Sequence, residues 1–301
     1  MTAALLLTGG CGKKGEEAMN TDEKSQAETH VVQQVMTEHG EMKYYRFGKK
    51  GGRPYVILPG LSLKSVMGSA AAVEKAYAAA AAEYDVYLID RITEFPGDYS
   101  IFLMAEDTLQ AFHELGLKDP VVMGVSQGGM IAQVMAYESP EDVGTLVLCS
   151  TSCSTASANR SAMEEWRNLA VKKDGPALMD SFGRYVYTPE FYEKYRDVIV
   201  AQAEGVTDLD YQNFVISIDS TMDFDVTGSL RDIHCPTFVI GAGNDQVLGV
   251  QGSLDLMEKL NCEGYIYEGK GHGVYDEEPD YLQRILDYLK KTESVKRQET
   301  E

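Results

Sequence analysis

The feature that most constrains this chain is the pentapeptide Gly-Val-Ser-Gln-Gly at residues 124–128. It ends a short apolar run that begins at Val121, and an apolar, helix-compatible run from Met130 to Tyr137 follows it. Strand, sharp turn and helix in that order project a serine hydroxyl clear of the backbone. Glycines at both ends remove the Cβ atoms that would collide in so tight a turn. The pattern therefore predicts that Ser126 is a nucleophile, placed where the helix N-terminus favours negative charge.

Apolar runs alternate with helical patterns along most of the chain. Because these runs are continuous and do not alternate with polar residues, they indicate strands that are buried on both faces, in a mostly parallel sheet flanked by helices. The predicted class is therefore α/β. Besides the run before Ser126, the strands are predicted at 42–47, 54–60, 85–90, 145–149, 236–241 and 264–267. Helices are predicted at 66–84, 101–115, 130–137, 252–260 and 279–290.

The alternation stops between residues 154 and 233, where the chain is helical in pattern and rich in aromatic residues. This stretch predicts a helical cap inserted between two core strands. Most of its aromatic side chains are expected to form a small core of the cap itself, and a few to face a substrate pocket. The predicted domains are a core of residues 41–153 and 234–291, the cap at 154–233, a tail or tether at 1–40 and a charged tail at 292–301.

Charge and composition exclude some classes of function. The formal net charge of −20 argues against nucleic-acid partners, which require a basic surface. No apolar run approaches the roughly 18 residues that a membrane span requires. The four cysteines beyond the N-terminal segment do not have the spacing of metal ligands, so we expect small buried hydrophobic residues at Cys149, Cys153, Cys235 and Cys262.

The N-terminal segment has two interpretations. An apolar stretch at residues 3–7, small residues and then Cys11 are similar to the end of a bacterial lipoprotein signal, with Cys11 as the lipidated residue and a polar tether after it. The apolar stretch is shorter than such a signal requires, and no basic residue precedes it. The alternative is a tail with an incidental cysteine. The first interpretation implies an extracytoplasmic, lipid-anchored protein, and the second is compatible with the cytoplasm.

Two polar residues follow late strands of the predicted sheet. Asp245 comes after the strand at 236–241, and His272 comes after the strand at 264–267. The carboxyl ends of parallel strands meet at one edge of the sheet, so both residues are expected near Ser126. A serine needs an imidazole to take its proton, and a carboxylate orients that imidazole. The rival carboxylates are Asp276, Glu277 and Glu278, just after the histidine.

The order Ser126, Asp245, His272 resembles that of the α/β-hydrolase superfamily, in which serine, acid and histidine follow one another in the chain. The resemblance covers about residues 42–290. It implies that His272 is the general base and acid and that Asp245 orients it. It also implies an oxyanion hole formed by the backbone N–H groups of Leu61 and Gln127. Many esterases of this fold have His-Gly where this chain has Pro59-Gly60. The residues expected to contact substrate are Gly60, Ser62, Val125 and Val247.

The leading hypothesis is a serine hydrolase that cleaves a small to medium ester, or a related acyl compound, through an acyl-enzyme. Two alternatives stay open. The same triad also serves C–C bond hydrolases, peptidases and acyltransferases, and some proteins of this fold bind ligands without catalysis. The chain contains no metal-binding or nucleotide-binding motif of the types H-E-x-x-H, P-loop or G-x-G-x-x-G. We therefore expect no cofactor and no metal, and a small acyl or ester molecule as the partner.

Overall fold

The computed structural model describes residues 30–300 and contains, in that part of the chain, one sheet of eight strands. The spatial order of the strands is β1-β2-β4-β3-β5-β6-β7-β8. Their bounds are β1 (Val32–Met36), β2 (Glu41–Gly48), β3 (Pro54–Leu58), β4 (Asp85–Ile92), β5 (Val121–Val125), β6 (Thr145–Cys149), β7 (Thr237–Ala242) and β8 (Glu263–Tyr267). Strands β3 to β8 pair in parallel, and β1 and β2 are antiparallel to their neighbours. The predicted α/β class, with a mostly parallel sheet, is confirmed.

Helices cover both faces of the sheet. Alternate residues of each strand point to opposite faces. In β3, for example, Val56 packs with the core beneath one set of helices and Tyr55 packs with the core on the other side. The helices are α1 (Ala70–Ala76), α2 (Ala78–Ala81), α3 (Ile101–Glu114), α4 (Gln127–Glu138), α5 (Arg160–Val171), α6 (Gly175–Val186), α7 (Pro189–Val200), α8 (Asp208–Met222), α9 (Val250–Leu260), α10 (Val274–Glu277) and α11 (Tyr281–Thr300).

Four of these helices, α5 to α8, lie between β6 and β7 and are called the helical insertion below. Its largest buried side chain, Trp166, packs on Phe182 with ring centroids 4.7 Å apart and donates from Nε1 to Ser181 Oγ at 3.2 Å. Trp166 and the buried Phe214 belong to the same apolar core as α3 and α4. The insertion is therefore packed onto the sheet domain. Its division from the core at residues 154 and 233 stays a prediction.

The main differences from the predicted elements are at β1, in the helix predicted at 66–84 and at the C-terminus. Residues 32–36, expected in the tail, form β1, a polar edge strand of which only Val35 is buried. The predicted helix 66–84 is broken at Tyr77, whose backbone is not helical and whose ring lies 6.3 Å from that of Tyr55. The expected C-terminal tail continues α11 as far as Thr300. Near its start, Glu293 accepts hydrogen bonds from Arg53 and Tyr84.

The cysteines vary in burial. Cys149 and Cys153 are buried, as expected of small hydrophobic residues, and burial raises the pKa of the Cys149 thiol to about 12. Cys235 and Cys262 are half-buried. Cys11 lies outside the described residues. Within the described range, no helix combines the length and the apolar character needed to cross a membrane.

Candidate active site

Ser126 lies between the end of β5 and the first residue of α4. Its φ of 51° and ψ of −117° are values that L residues rarely adopt, so the backbone is strained at this position. Two hydrogen bonds stabilise this strained backbone. The Ser126 N–H donates to Cys149 O at 2.8 Å, and the Ser126 carbonyl accepts from the Thr151 hydroxyl at 2.7 Å. The turn predicted from the pentapeptide is therefore present, with Ser126 at the N-terminus of α4.

The two flanking glycines are required by close backbone contacts. A Cβ on Gly124 would collide with the backbone of Gly128 and Gly129. A Cβ on Gly128 would collide with the carbonyl of Leu58 at the end of β3. The turn therefore packs directly against the neighbouring strand, which brings the loop after β3 beside Ser126.

His272 and Asp245 lie together, both in loops at the carboxyl edge of the sheet. His272 Nδ1 is 2.8 Å from Asp245 Oδ2, and both side chains are buried. The other oxygen of Asp245 accepts hydrogen bonds from the N–H groups of Val247 at 2.8 Å and Leu248 at 3.0 Å. Burial acts to raise the pKa of Asp245, but the charge of His272 and these hydrogen bonds outweigh it, so the pKa lies below its ordinary value.

The rival carboxylates have other partners. Asp276 accepts a hydrogen bond from the Tyr187 hydroxyl at 2.8 Å, and Glu277 accepts one from the Thr188 N–H at 2.7 Å. Both contacts join the segment after His272 to the end of α6 and the loop that follows it. Burial raises the pKa of Asp276 to about 7, although the hydrogen bond from Tyr187 acts in the opposite direction.

Ser126 and His272 line one cavity, enclosed between the sheet edge and the helical insertion. Its volume is about 30 Å³, room for only a few water molecules. Gly60 lies against the nucleophile, because a Cβ on it would be 3.2 Å from Ser126 Cβ. Gly60, Gln127 and His272 form the polar part of the wall together with Ser126. The apolar part includes Leu61, Met163, Trp166, Phe182, Ile218 and Val247.

Two residues predicted to contact substrate lie elsewhere. Ser62 lines a second cavity, of about 230 Å³, on the far side of the loop after β3. The residue that caps the next helical turn, at Val66–Ser69, is Ser65. Val125 is buried in the core on the face of the sheet that packs against α1 and α11. Alternation along β5 explains this, because Val125 points away from the side that Ser126 presents. Of the four expected contacts, Gly60 and Val247 line the cavity.

Arg91 at the end of β4 was not predicted. Its side chain is 8% exposed, and Nη2 lies within hydrogen-bond distance of Pro59 O, Gly60 O and Gln127 Oε1. Burial lowers the pKa of Arg91, while the charge of Asp90 acts in the opposite direction. The available signal was an arginine that, with Asp90, directly follows the apolar run at residues 86–89, since such a charge is seldom buried without a partner.

Side-chain groupings that bind metals bring several His, Cys, Asp or Glu residues together. Among residues 30–300, no three such side chains are grouped as metal ligands would be. The polar groups at the cavity include the Ser126 hydroxyl and the His272 imidazole, and the Asp245 carboxylate lies behind that imidazole. These are the groups that acyl transfer uses.

Comparison with known proteins agrees with this arrangement. A sequence model described as "Alpha/beta hydrolase family" matches residues 56–283, more than half of the chain. The chain belongs to this family. Named relatives resemble the chain at low identity. A putative carbamate hydrolase, RutD, from Pseudomonas savastanoi pv. phaseolicola is 25% identical over 229 residues, which cover 70% of this chain and 86% of that protein.

Solved structures of other α/β hydrolases have the same fold. An alpha/beta hydrolase enzyme from a Medee basin deep-sea metagenome library superposes with a TM-score of 0.76 at 20% identity and covers 85% of this chain and 97% of its own. The enol-lactonase from Burkholderia xenovorans has a TM-score of 0.74 at 16% identity and covers 86% of this chain and 100% of its own. These structural similarities confirm the fold. The family match over residues 56–283 confirms the predicted family and supports hydrolase activity.

Proposed function

We propose that this α/β hydrolase is a serine hydrolase that cleaves a small ester, or a related acyl compound, through an acyl-enzyme on Ser126. The observation that carries the proposal is the 2.8 Å contact between His272 Nδ1 and Asp245 Oδ2 beside a cavity that Ser126 also lines. The strained backbone of Ser126 presents its hydroxyl at the same cavity.

The tautomer of the neutral His272 imidazole follows from its partner. The lowered pKa keeps Asp245 ionised, and an ionised carboxylate can only accept hydrogen bonds. Nδ1 of His272 therefore carries the hydrogen, and Nε2 is left as the acceptor. In this role Nε2 takes the proton of the Ser126 hydroxyl as its oxygen attacks the acyl carbon. The same proton then passes to the leaving group as the acyl-enzyme forms.

When Ser126 attacks, negative charge develops on the carbonyl oxygen of the substrate. Hydrogen-bond donors that are already in place stabilise this charge. The first N–H groups of a helix have no partner within the helix, so the Gln127 N–H at the start of α4 is one donor in this proposal. The Leu61 N–H, in the loop that packs against Ser126, is the other. Water then attacks the acyl-enzyme with His272 as base, which releases the acid and restores the Ser126 hydroxyl.

The size of the cavity supports a small acyl group. Met163, Trp166 and Phe182 of the helical insertion face Ser126, so the insertion acts as a cap that limits the length of the acyl chain. The related proteins named as a putative carbamate hydrolase and an enol-lactonase act, by those names, on a carbamate and on an enol lactone. An ester, a lactone or a carbamate therefore belongs to the substrate class that we propose.

Hydrolysis of p-nitrophenyl esters with increasing acyl length tests this function. We expect turnover of the acetate and a decline in kcat/KM as the chain lengthens. Ser126→Ala is the control and should reduce kcat to the level of the uncatalysed reaction within the precision of the assay. Turnover by Ser126→Ala equal to that of the wild-type protein would disprove the proposed nucleophile.

A further inference from the structure

A buried arginine connects the two elements of the proposed oxyanion hole. Arg91 lies at the carboxyl end of β4, next to β3 in the sheet. Its Nη2 donates to Pro59 O at 2.7 Å and Gly60 O at 2.9 Å, which fixes the loop just before Leu61. The same nitrogen donates to the side chain of Gln127 at 2.6 Å. One guanidinium nitrogen thus holds both the loop after β3 and the first residue of α4.

The side chain of Gln127 carries this connection into the helical insertion. Its Nε2 donates to Ser217 Oγ at 2.8 Å, Ser217 O at 3.0 Å and Thr221 Oγ1 at 2.7 Å, all in α8. Gln127 and Ser217 are buried, so these hydrogen bonds lie away from water, where a missing partner is costly. Thr221 also lines the cavity at Ser126. The network therefore joins the sheet, the loop, α4 and the insertion.

Stability alone does not favour an arginine at this position. A buried cation loses its hydration, and an apolar side chain of similar size is often as stable. Among residues 30–300, the buried Arg91 Nε has no hydrogen-bond partner, so the side chain is not fully paired. Asp90 accepts the Arg91 N–H at 2.9 Å and the Ser65 hydroxyl at 2.6 Å, which adds a compensating charge nearby.

We propose that Arg91 is a positioning residue that holds the Leu61 and Gln127 N–H groups in the relative geometry an oxyanion requires. This proposal rests on the proposed function. Arg91 lines the second cavity, and it acts on the reaction through the loop and Gln127. Its effect is thus confined to states in which the carbonyl oxygen carries negative charge, and ground-state binding depends on it much less.

Two inhibitors of the same chain length distinguish the oxyanion state from ground-state binding. The Ser126 oxygen adds to the carbonyl carbon of a short-chain trifluoromethyl ketone; the π electrons of the C=O bond move to the oxygen as an oxyanion, and the hydroxyl proton passes to His272 Nε2. The matching methyl ketone binds as a neutral carbonyl. In Arg91→Met we expect the Ki of the trifluoromethyl ketone to rise about 10- to 100-fold, with a similar fall in kcat. The Ki of the methyl ketone should change by less than about 3-fold.

Arg46→Met is a matched control. Arg46 is also partly buried beside β4, but it pairs with Asp85 at the opposite end of that strand. Its loss should lower the melting temperature and leave the ratio of the two Ki values unchanged. Arg91→Lys serves if Arg91→Met does not fold, because one ammonium cannot reproduce the planar guanidinium. For it we expect the Ki of the trifluoromethyl ketone to rise about 10-fold.

The outcomes distinguish this proposal from the proposed function. Tight binding of the trifluoromethyl ketone to the wild-type protein, lost in Ser126→Ala and weakened in the Arg91 variants, supports both. Tight binding that the folded Arg91 variants retain overturns the role of Arg91 alone. A wild-type protein that binds both ketones equally overturns the proposed function, and the role of Arg91 in an oxyanion hole with it.

Discussion

His272 Nδ1 lies 2.8 Å from Asp245 Oδ2, and the two side chains are 5% and 2% exposed. The second oxygen of Asp245 is held by two backbone N–H groups of the next loop residues. Carboxylate and imidazole are therefore fixed relative to each other and to the backbone. A fixed pair of this kind can select one tautomer of the histidine, which is the requirement for a general base facing Ser126.

The first prediction concerns the acid of this pair. Asp245→Asn should lower kcat by about 1,000- to 10,000-fold, since an amide cannot stabilise the imidazolium and favours the wrong tautomer. Asp276→Asn is the comparison, because Asp276 contacts Tyr187 and should be dispensable for catalysis. Steady-state kinetics on one short-chain ester measures both. A larger loss of kcat in Asp276→Asn than in Asp245→Asn would show that Asp245 is not the acid of the pair.

The second prediction concerns stability and pH. The pKa of Asp276 is raised from 3.8 to about 7, so the folded protein keeps a proton that the unfolded chain releases between these values. The contribution of protonated Asp276 to the free energy of unfolding is complete below pH 3.8 and is lost as the pH rises towards 7. Asp276→Asn does not titrate, and its amide oxygen still accepts from Tyr187. As the pH rises through that window, the free energy of unfolding of Asp276→Asn should increase relative to that of the wild-type protein, by up to about 1.4 kcal/mol per pH unit.

Urea unfolding at several pH values measures this difference. The exposed Glu258 in α9 gives a control, because Glu258→Gln removes an acid that water solvates. The stability of this control should follow the wild-type pH dependence. Parallel curves for wild type and Asp276→Asn between pH 4 and 7 would contradict the raised pKa.

The third prediction concerns acyl-chain length. Phe182 lines the cavity and packs on Trp166, so Phe182→Ala should enlarge the space beside Ser126. We expect the ratio of kcat/KM for a butyrate ester to that for an acetate ester to rise at least about 5-fold. Phe102→Ala removes an exposed phenylalanine in α3 and should leave the ratio unchanged. An equal ratio in both variants would show that the insertion does not limit chain length.

The fourth prediction concerns the turn at Ser126. Gly128→Ala should lower the free energy of unfolding by on the order of 3 kcal/mol or more, because the new Cβ collides with the backbone of β3. Gly68→Ala is the matched control for Gly128→Ala, since a Cβ on Gly68 has no neighbour within 4 Å. Thermal unfolding compares them. Equal melting temperatures would mean that the turn does not pack against β3 as described.

Much of this arrangement could be predicted because its signals are local. Apolar runs and the pentapeptide around Ser126 mark strands and a turn without any knowledge of the neighbours. The loops that carry Asp245 and His272 follow predicted parallel strands, so the sheet edge where they meet was also predictable. The structure brings the two side chains together, and their catalytic roles stay a prediction.

Other features depend on partners far along the chain. Arg91 binds carbonyls that lie more than 30 residues away in sequence, which no local pattern indicates. Strand β1 has a polar pattern because it lies at the edge of the sheet, so its signal is weak. The position of Ser62 depends on how the loop after β3 turns. Similarly, the aromatic content of the insertion predicted that a few of its side chains would face a pocket, but it did not indicate which ones.

The most direct test of the central claim is mass spectrometry of the protein after treatment with a fluorophosphonate. We predict one covalent adduct per chain, mapped to the peptide that contains Ser126, and no adduct in Ser126→Ala. His272→Ala should react far more slowly, since the serine loses its base. A folded wild-type protein that carries no adduct, or carries it on another residue, would contradict the claim that Ser126 is the nucleophile.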